Sequence, residues 1–127
     1  MTATCTSPIR GFVIVQLFGG SDSVRANEQV GLWAVADKGH DRLRGAENTD
    51  HLWGDAGGDR LVGGGSLDRI DGGPGHDVIL GGSGDDVLDA QNDDRDRVID
   101  CGRGHDRVYV DPKLDAPAAN CEDIRAD

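Results

Sequence analysis

The chain has 127 residues, 13 Lys and Arg against 24 Asp and Glu, a formal net charge of −11, twenty glycines and few aromatics. That length limits it to one domain, the thin supply of large apolar side chains rules out a conventional globular core, and no stretch nears the roughly 18 uninterrupted apolar residues of a membrane span. The acidic balance excludes nucleic acid, whose phosphates need clustered Lys and Arg, and makes cations or basic surfaces the natural counterpart.

In chain order, Met1-Thr2-Ala3-Thr4-Cys5 has neither the basic start nor the apolar core of a secretory leader. Met1 is therefore read as added to a mature fragment, or export as using another signal. Phe12, Val13, Ile14, Val15, Leu17 and Phe18 form the most apolar run. It is expected to be a strand covering one end of whatever core follows; an apolar surface for a partner is the alternative. Asp22 with Val24, and then Trp33-Ala34-Val35, read as remnants of the pattern that follows, with Leu32 where an aspartate would fall.

From Asp41 onward the pattern is periodic. Aspartates recur at Asp50, Asp59, Asp68, Asp77 and Asp86, nine residues apart, and an aliphatic side chain follows two residues after each: Leu43, Leu52, Leu61, Ile70, Ile79 and Leu88. The pair returns at Asp96 with Val98 and at Asp106 with Val108, now ten residues apart. A fixed short period is the signature of stacked coils, in which each repeat contacts only its neighbours. Strand alternation puts the aliphatic residue inside and its two neighbours outside.

The best preserved units are Gly72-Gly73-Pro74-Gly75-His76-Asp77-Val78-Ile79-Leu80 and Gly81-Gly82-Ser83-Gly84-Asp85-Asp86-Val87-Leu88-Asp89. They resemble the hemolysin-type (RTX) calcium-binding nonapeptide, a glycine-rich turn ending in aspartate and followed by a short strand. The resemblance implies an all-β fold, a right-handed parallel β-roll with two nonapeptides per turn, and calcium as the bound ion. It divides the chain into an N-terminal cap and degenerate first coil at 1–35, the calcium-binding roll at 36–90, and degenerate repeats with a C-terminal cap at 91–127. The segment from Asp96 through Val108 to Asn120-Cys121-Glu122 is similar to the terminal unit of secreted bacterial relatives, where a Cys pair flanks the last coil. This implies a Cys101–Cys121 disulfide, leaving Cys5 free, bonded to another chain or engaged in a different pairing.

Two repeats per turn would stack Asp41, Asp59, Asp77 and Asp96 along one edge, and Asp50, Asp68, Asp86 and Asp106 along the other. Unneutralised carboxylates that close repel, and a divalent ion between turns reverses the sign. Oxygen-only ligands and the lack of Cys and His at zinc spacing favour calcium. The expected ligand set is those eight aspartates with the turn residues Gly57, Gly73, Gly75, Gly82 and Gly84. The loops ending at Asp59, Asp77 and Asp86 are the best sites. Gly45–Asp50 lacks two glycines, the loop ending at Asp68 carries Ser66 in a glycine place, and that ending at Asp41 keeps only Gly39. Without calcium the chain is expected to be expanded.

No HExxH helix, GxSxG elbow or phosphate loop is present, and His40, His51, His76 and His105 read as surface residues. Arg42, Arg60, Arg69, Arg97 and Arg107, at the outward seventh position, are expected to pair with acidic neighbours such as Asp71 and Asp89, with Arg42 and Arg60 stacked on one face. The leading reading is a secreted calcium-binding module with a structural or adhesive role and no catalytic residues. The alternative is an enzyme or effector built on the roll, with Arg42, Arg60 and nearby histidines contacting an anionic polysaccharide; a cell surface is the other partner considered. Disulfide and extracellular calcium point to the same compartment.

Overall fold

The computed structural model describes residues 2–4, 11–27, 30–92, 94–111, 113–117 and 120–126; Cys5 lies outside them. All regular structure among these residues is β: β1 (Thr2–Thr4), β2 (Gly11–Gln16), β3 (Ser23–Arg25), β4 (Val30–Val35), β5 (Arg42–Arg44), β6 (His51–Trp53), β7 (Arg60–Gly64), β8 (Arg69–Asp71), β9 (Val78–Ser83), β10 (Val87–Asp89), β11 (Val98–Arg103), β12 (Arg107–Tyr109) and β13 (Asp123–Arg125). No helix long and apolar enough to cross a membrane occurs among them.

Odd-numbered strands β1 to β11 form a six-stranded sheet, and the even-numbered strands with β13 form a seven-stranded one. Neighbours pair in parallel, two repeats apart: Leu43 lies opposite Leu61, Leu61 opposite Ile79, and Ile79 opposite Ile99, while Leu52, Ile70, Leu88 and Val108 line up in the other sheet. Each turn therefore gives one strand to each sheet, and the chain is the expected parallel β-roll. The ten-residue spacings after Asp86 do not break this register: one added residue falls in the turn before Asp96 and the other at Arg97, where Arg97 and Val98 N–H both donate to the Asp77 carbonyl, so Ile99 faces inward in place of the expected Val98, which is exposed.

The interior holds a second inward position that aliphatic spacing alone does not reveal. It is the first residue of each nonapeptide, immediately after the strand triplet. In chain order it is Leu17, Ala26, Ala36, Gly45, Gly54, Gly63, Gly72, Gly81, Ala90, Cys101 and Val110, all buried. Side chains take this place in the outer coils, and glycine takes it through five consecutive central repeats, where neighbouring oxygens close in on it. At the C-terminal end Cys101 is bonded to Cys121, with Cα atoms 5.2 Å apart.

β2 joins the roll in register with β4, Val13 opposite Leu32 and Val15 opposite Ala34. The outward Phe12, Ile14 and, beyond the strand, Phe18 remain exposed. Asp22 and Val24 are both buried as an ordinary repeat pair, and Leu32 occupies an aspartate place in the interior.

Candidate metal centre

The repeat aspartates face inward. Asp41, Asp50, Asp59, Asp68, Asp77, Asp86, Asp96 and Asp106 are all buried, Asp50, Asp68 and Asp77 completely. Burying a carboxylate is costly unless its oxygens find partners, and in each case Oδ1 does: it accepts the main-chain N–H at the equivalent place one turn earlier. Along one edge Asp22 N–H donates to Asp41 (2.7 Å), Asp41 to Asp59 (2.7 Å), Asp59 to Asp77 (2.8 Å), Asp77 to Asp96 (2.9 Å) and Asp96 to Asp115 (3.0 Å). Along the other, Leu32 donates to Asp50 (2.7 Å), Asp50 to Asp68, Asp68 to Asp86 and Asp86 to Asp106 (each 2.8 Å), and Asp106 to Glu122 Oε2 (2.9 Å). The structure thus brings together both expected columns and adds an acidic residue at the foot of each. Asp115 and Glu122 escape the sequence reading because an irregular loop breaks the period before them.

The second oxygen is different. Oδ2 of Asp41, Asp59, Asp68, Asp77, Asp86, Asp96 and Asp106 is buried without a hydrogen-bond partner, whereas Asp50 Oδ2 accepts from Ala46 N–H at 3.0 Å. In the central repeats this oxygen packs closely on the first-position glycine, joined at Gly54, Gly63 and Gly81 by a main-chain carbonyl of the next turn. A Cβ added to Gly54 would lie 2.5 Å from the Gly72 carbonyl oxygen and 2.8 Å from Asp59 Oδ2. One on Gly63 would lie 2.5 Å from the Gly81 carbonyl oxygen and press on Asp68 Oδ2, and one on Gly72 would lie 2.6 Å from Asp77 Oδ2. One on Gly81 would lie 2.7 Å from Asp86 Oδ2 and touch the Cys101 carbonyl. Contacts this short mean that only glycine lets the carboxylate oxygen and, at Gly54, Gly63 and Gly81, the neighbouring carbonyl close on the backbone, and the cradle so formed offers an ion a hard, all-oxygen donor set. The Gly63, Gly72, Gly81 and Cys101 carbonyls are candidate ligands that the sequence reading missed.

The glycines singled out from sequence sit at the second and fourth places of the turns. Gly57 (φ +131°) and Gly75 (φ +133°) hold a conformation closed to most side chains, and a Cβ on either would meet the carbonyl of the turn before, Gly39 and Gly57 respectively. Gly73, Gly82 and Gly84 stack in the same way on Asp55, Gly64 and Ser66. Close stacking of turn on turn is what they permit. Ser66 adopts positive φ (68°) without being glycine, and its hydroxyl donates to the Glu47 carbonyl at 2.7 Å.

Electrostatics describes the same tension. Burial, reinforced by neighbouring carboxylates and only partly offset by the N–H donors, pushes Asp59 and Asp86 up to about 6, and Asp68 and Asp77 up to about 8. Asp96 rises to about 7 for the same reasons, and Asp41, Asp50 and Asp106 are also raised. Such a column holds either protons or cations. Among the described residues no three His, Cys, Asp or Glu side chains gather as a metal group; each cradle instead sets one carboxylate against main-chain oxygens, a hard donor set suited to calcium.

Other expectations change. Arg42 lies opposite Arg60 on the six-stranded sheet, but Asp71 and Asp89 belong to the seven-stranded one, so these two arginines do not pair with them, whereas Arg69 shares a strand with Asp71 and Arg107 pairs with Asp123 at 2.9 Å. His40 and His76 are exposed yet bonded across turns, His40 Nδ1 to Gly58 O (3.0 Å) and His76 Nδ1 to Arg95 O (2.5 Å). His51 is half-buried in a ring cluster, its centroid 4.8 Å from Trp33 and 5.8 Å from Trp53.

Comparison with known families places this geometry. Three overlapping segments, 33–61, 53–88 and 62–95, match the RTX calcium-binding nonapeptide repeat. No curated protein and no solved structure matches the chain.

Proposed function

Because the chain belongs, through residues 33–95, to the RTX calcium-binding nonapeptide repeat family, which supports calcium binding, we propose that the ions sit at the central glycine cradles and are part of the fold. The observation that carries this is the row of buried, unpartnered Oδ2 atoms beside first-position glycines. Asp59, Asp68, Asp77 and Asp86 are the principal ligands, with Asp50 weaker because Ala46 N–H already occupies its second oxygen. Asp41, Asp96 and Asp106 belong to repeats whose first place is filled by Ala36, Ala90 and Cys101, and they rank last. In this reading 36–90 is the ion-held roll, and 1–35 and 91–127 are its flanks. The glycines at 57, 73, 75, 82 and 84 serve the site by letting the turns close.

Folding is then coupled to the ion, and the module is a secreted structural or adhesive unit. A disulfide and calcium sites suited to roughly millimolar ion support that compartment. Circular dichroism during a calcium titration, with magnesium as control, tests the coupling: β signal should appear as calcium passes roughly 0.1–1 mM and magnesium should fail. A full β signal in chelator at pH 7.5 that calcium leaves unchanged overturns it.

A second reading, retention of an anionic polysaccharide, draws on one observation. Arg25 lies opposite Arg44 and Arg42 opposite Arg60, four exposed guanidinium groups on one sheet of an acidic protein. Loss of retention in the Arg42→Ala, Arg60→Ala double variant is its test, and turnover of the glycan would identify an enzyme.

A further inference from the structure

The outer face of the seven-stranded sheet carries chemistry that ion binding does not use. Its two outward columns run along the roll. One is Trp33, His51, Arg69 and Val87, the other Trp53, Asp71, Asp89 and Tyr109, each residue opposite the next. They line a cleft of about 360 Å³. Trp33 is 37% exposed and packs on His51 and, edge-on, on Trp53 at 6.4 Å, so indole surface stays open to the cleft.

Two features of this face are unexplained by folding alone. Large aromatic side chains are left partly in water although the core is short of apolar material. Asp71 and Asp89 stand directly opposite one another, an unfavourable like-charge pair, and of the Asp89 oxygens Oδ1 accepts from Gln91 N–H at 3.0 Å. A ligand presenting hydroxyl donors to the two carboxylates and a flat, weakly polar face to the indoles would relieve both costs.

We propose that this cleft binds a neutral oligosaccharide of about three rings, lying along the roll axis from Trp53 to Tyr109. Three coil steps separate those residues, about 14 Å, a length suited to a short glycan. The aromatic ends stack on sugar C–H faces, while Asp71 and Asp89 accept from hydroxyls and Arg69 donates to their oxygens. The paired carboxylates work against an anionic glycan and the Arg69 guanidinium against an organic cation. The basic patch of Arg25, Arg42, Arg44 and Arg60 is on the other sheet, which keeps the two faces separable.

Intrinsic fluorescence tests the proposal on the full chain in calcium, because Trp33 and Trp53 are the only two tryptophans. Cellotriose, maltotriose and triacetylchitotriose are titrated in turn, with trigalacturonate and tetramethylammonium as charged controls. A saturable change with at least one neutral trisaccharide is expected, weakened at least tenfold by Trp53→Ala (read through Trp33), by Asp71→Asn with Asp89→Asn, and by Tyr109→Ala at the far end. Circular dichroism in calcium qualifies each variant as folded, and it separates failure here from failure of the ion reading. No saturable response to any neutral trisaccharide overturns the proposal. So does tighter binding of either charged control, or affinity unchanged in every folded variant.

Discussion

In the repeats opening at Gly45, Gly54, Gly63, Gly72 and Gly81 the first position carries no side chain, whereas on the N-terminal side it is Leu17, Ala26 and Ala36, and on the C-terminal side Ala90, Cys101 and Val110. Both regions bury the same aspartate column and the same aliphatic ladder. They differ in what fills the space beside Oδ2. At the ends a methyl, isobutyl, isopropyl or disulfide sulfur occupies it, and the coil is held by packing and a covalent bond. In the middle glycine lets a carboxylate oxygen and, in most of these repeats, a main-chain carbonyl close on the backbone, a set of oxygens that an ion can share. A solenoid with one ladder residue per repeat has little apolar area, so the choice between side chain and ion sets how each coil is stabilised.

The sharpest way to break this comparison is to exchange the two kinds of position. In Gly72→Ala the new methyl would stand 2.6 Å from Asp77 Oδ2 and 3.0 Å from Ile79 Cδ1, inside the cradle. The number of calcium ions bound should fall by one, and the calcium concentration at half-maximal β signal should rise at least tenfold, measured by calorimetry and circular dichroism. The reverse exchange, Ala90→Gly, removes a buried methyl and adds backbone freedom, so it should cost about 1 kcal/mol without changing the ion count. Equal effects from both substitutions would sink the distinction.

A smaller effect is expected from the disulfide, which bonds Cys101 to Cys121 across a sequence separation of 20. In the chain-entropy model such a closure contributes roughly 3 kcal/mol. Cys101 also turns its carbonyl toward the cradle beside Asp86, so the covalent and the ionic staples meet at one residue. Reduction should therefore lower thermal stability in calcium and weaken one ion selectively, that of Asp86, while the ions beside Asp59 and Asp77 keep their affinity. Selective loss can be read from carboxyl chemical shifts; uniform weakening of every site would count against the coupling.

Much of this architecture was legible because the nine-residue period fixes both strand pairing and the aspartate columns. Parity of the repeat also assigns each strand to a sheet, and the expected pairing of Arg42 and Arg60 with Asp71 and Asp89 fails on that parity alone. The first-position column was harder to see. Its glycines read as turn formers, and only the backbone path shows that the residue after each triplet still points inward. Asp22 with Val24 was legible as a repeat pair, but the inward run of Leu17, Ala26 and Ala36 was hidden by irregular spacing. The ring cluster of Trp33, His51 and Trp53 spans strands brought together only by winding.

The finest test of middle against ends uses pH. Asp68 and Asp77, raised to about 8, and Asp59 and Asp86, raised to about 6, have folded values above their ordinary 3.8. The metal-free roll therefore binds more protons than the unfolded chain: its stability is greatest below about pH 4, declines as pH rises from there, and the contribution is spent once pH has passed through the folded values of about 6 and about 8. Calcium competes with those protons, so its affinity must run the other way, increasing across the same window. Acidifying the chelated protein from about pH 8.5 to about pH 5 should restore part of the β signal, and the calcium midpoint should fall as pH is raised. Asp96, at about 7, supplies the contrast, because Ala90 fills the place where an ion would replace its proton. With calcium saturating, carboxyl-carbon NMR should find Asp77 fully ionised at pH 7 while Asp96 still titrates near that value. If Asp96 loses its proton together with Asp77, an ion reaches the outer coils as well, and the first-position side chain is not what separates the two regions.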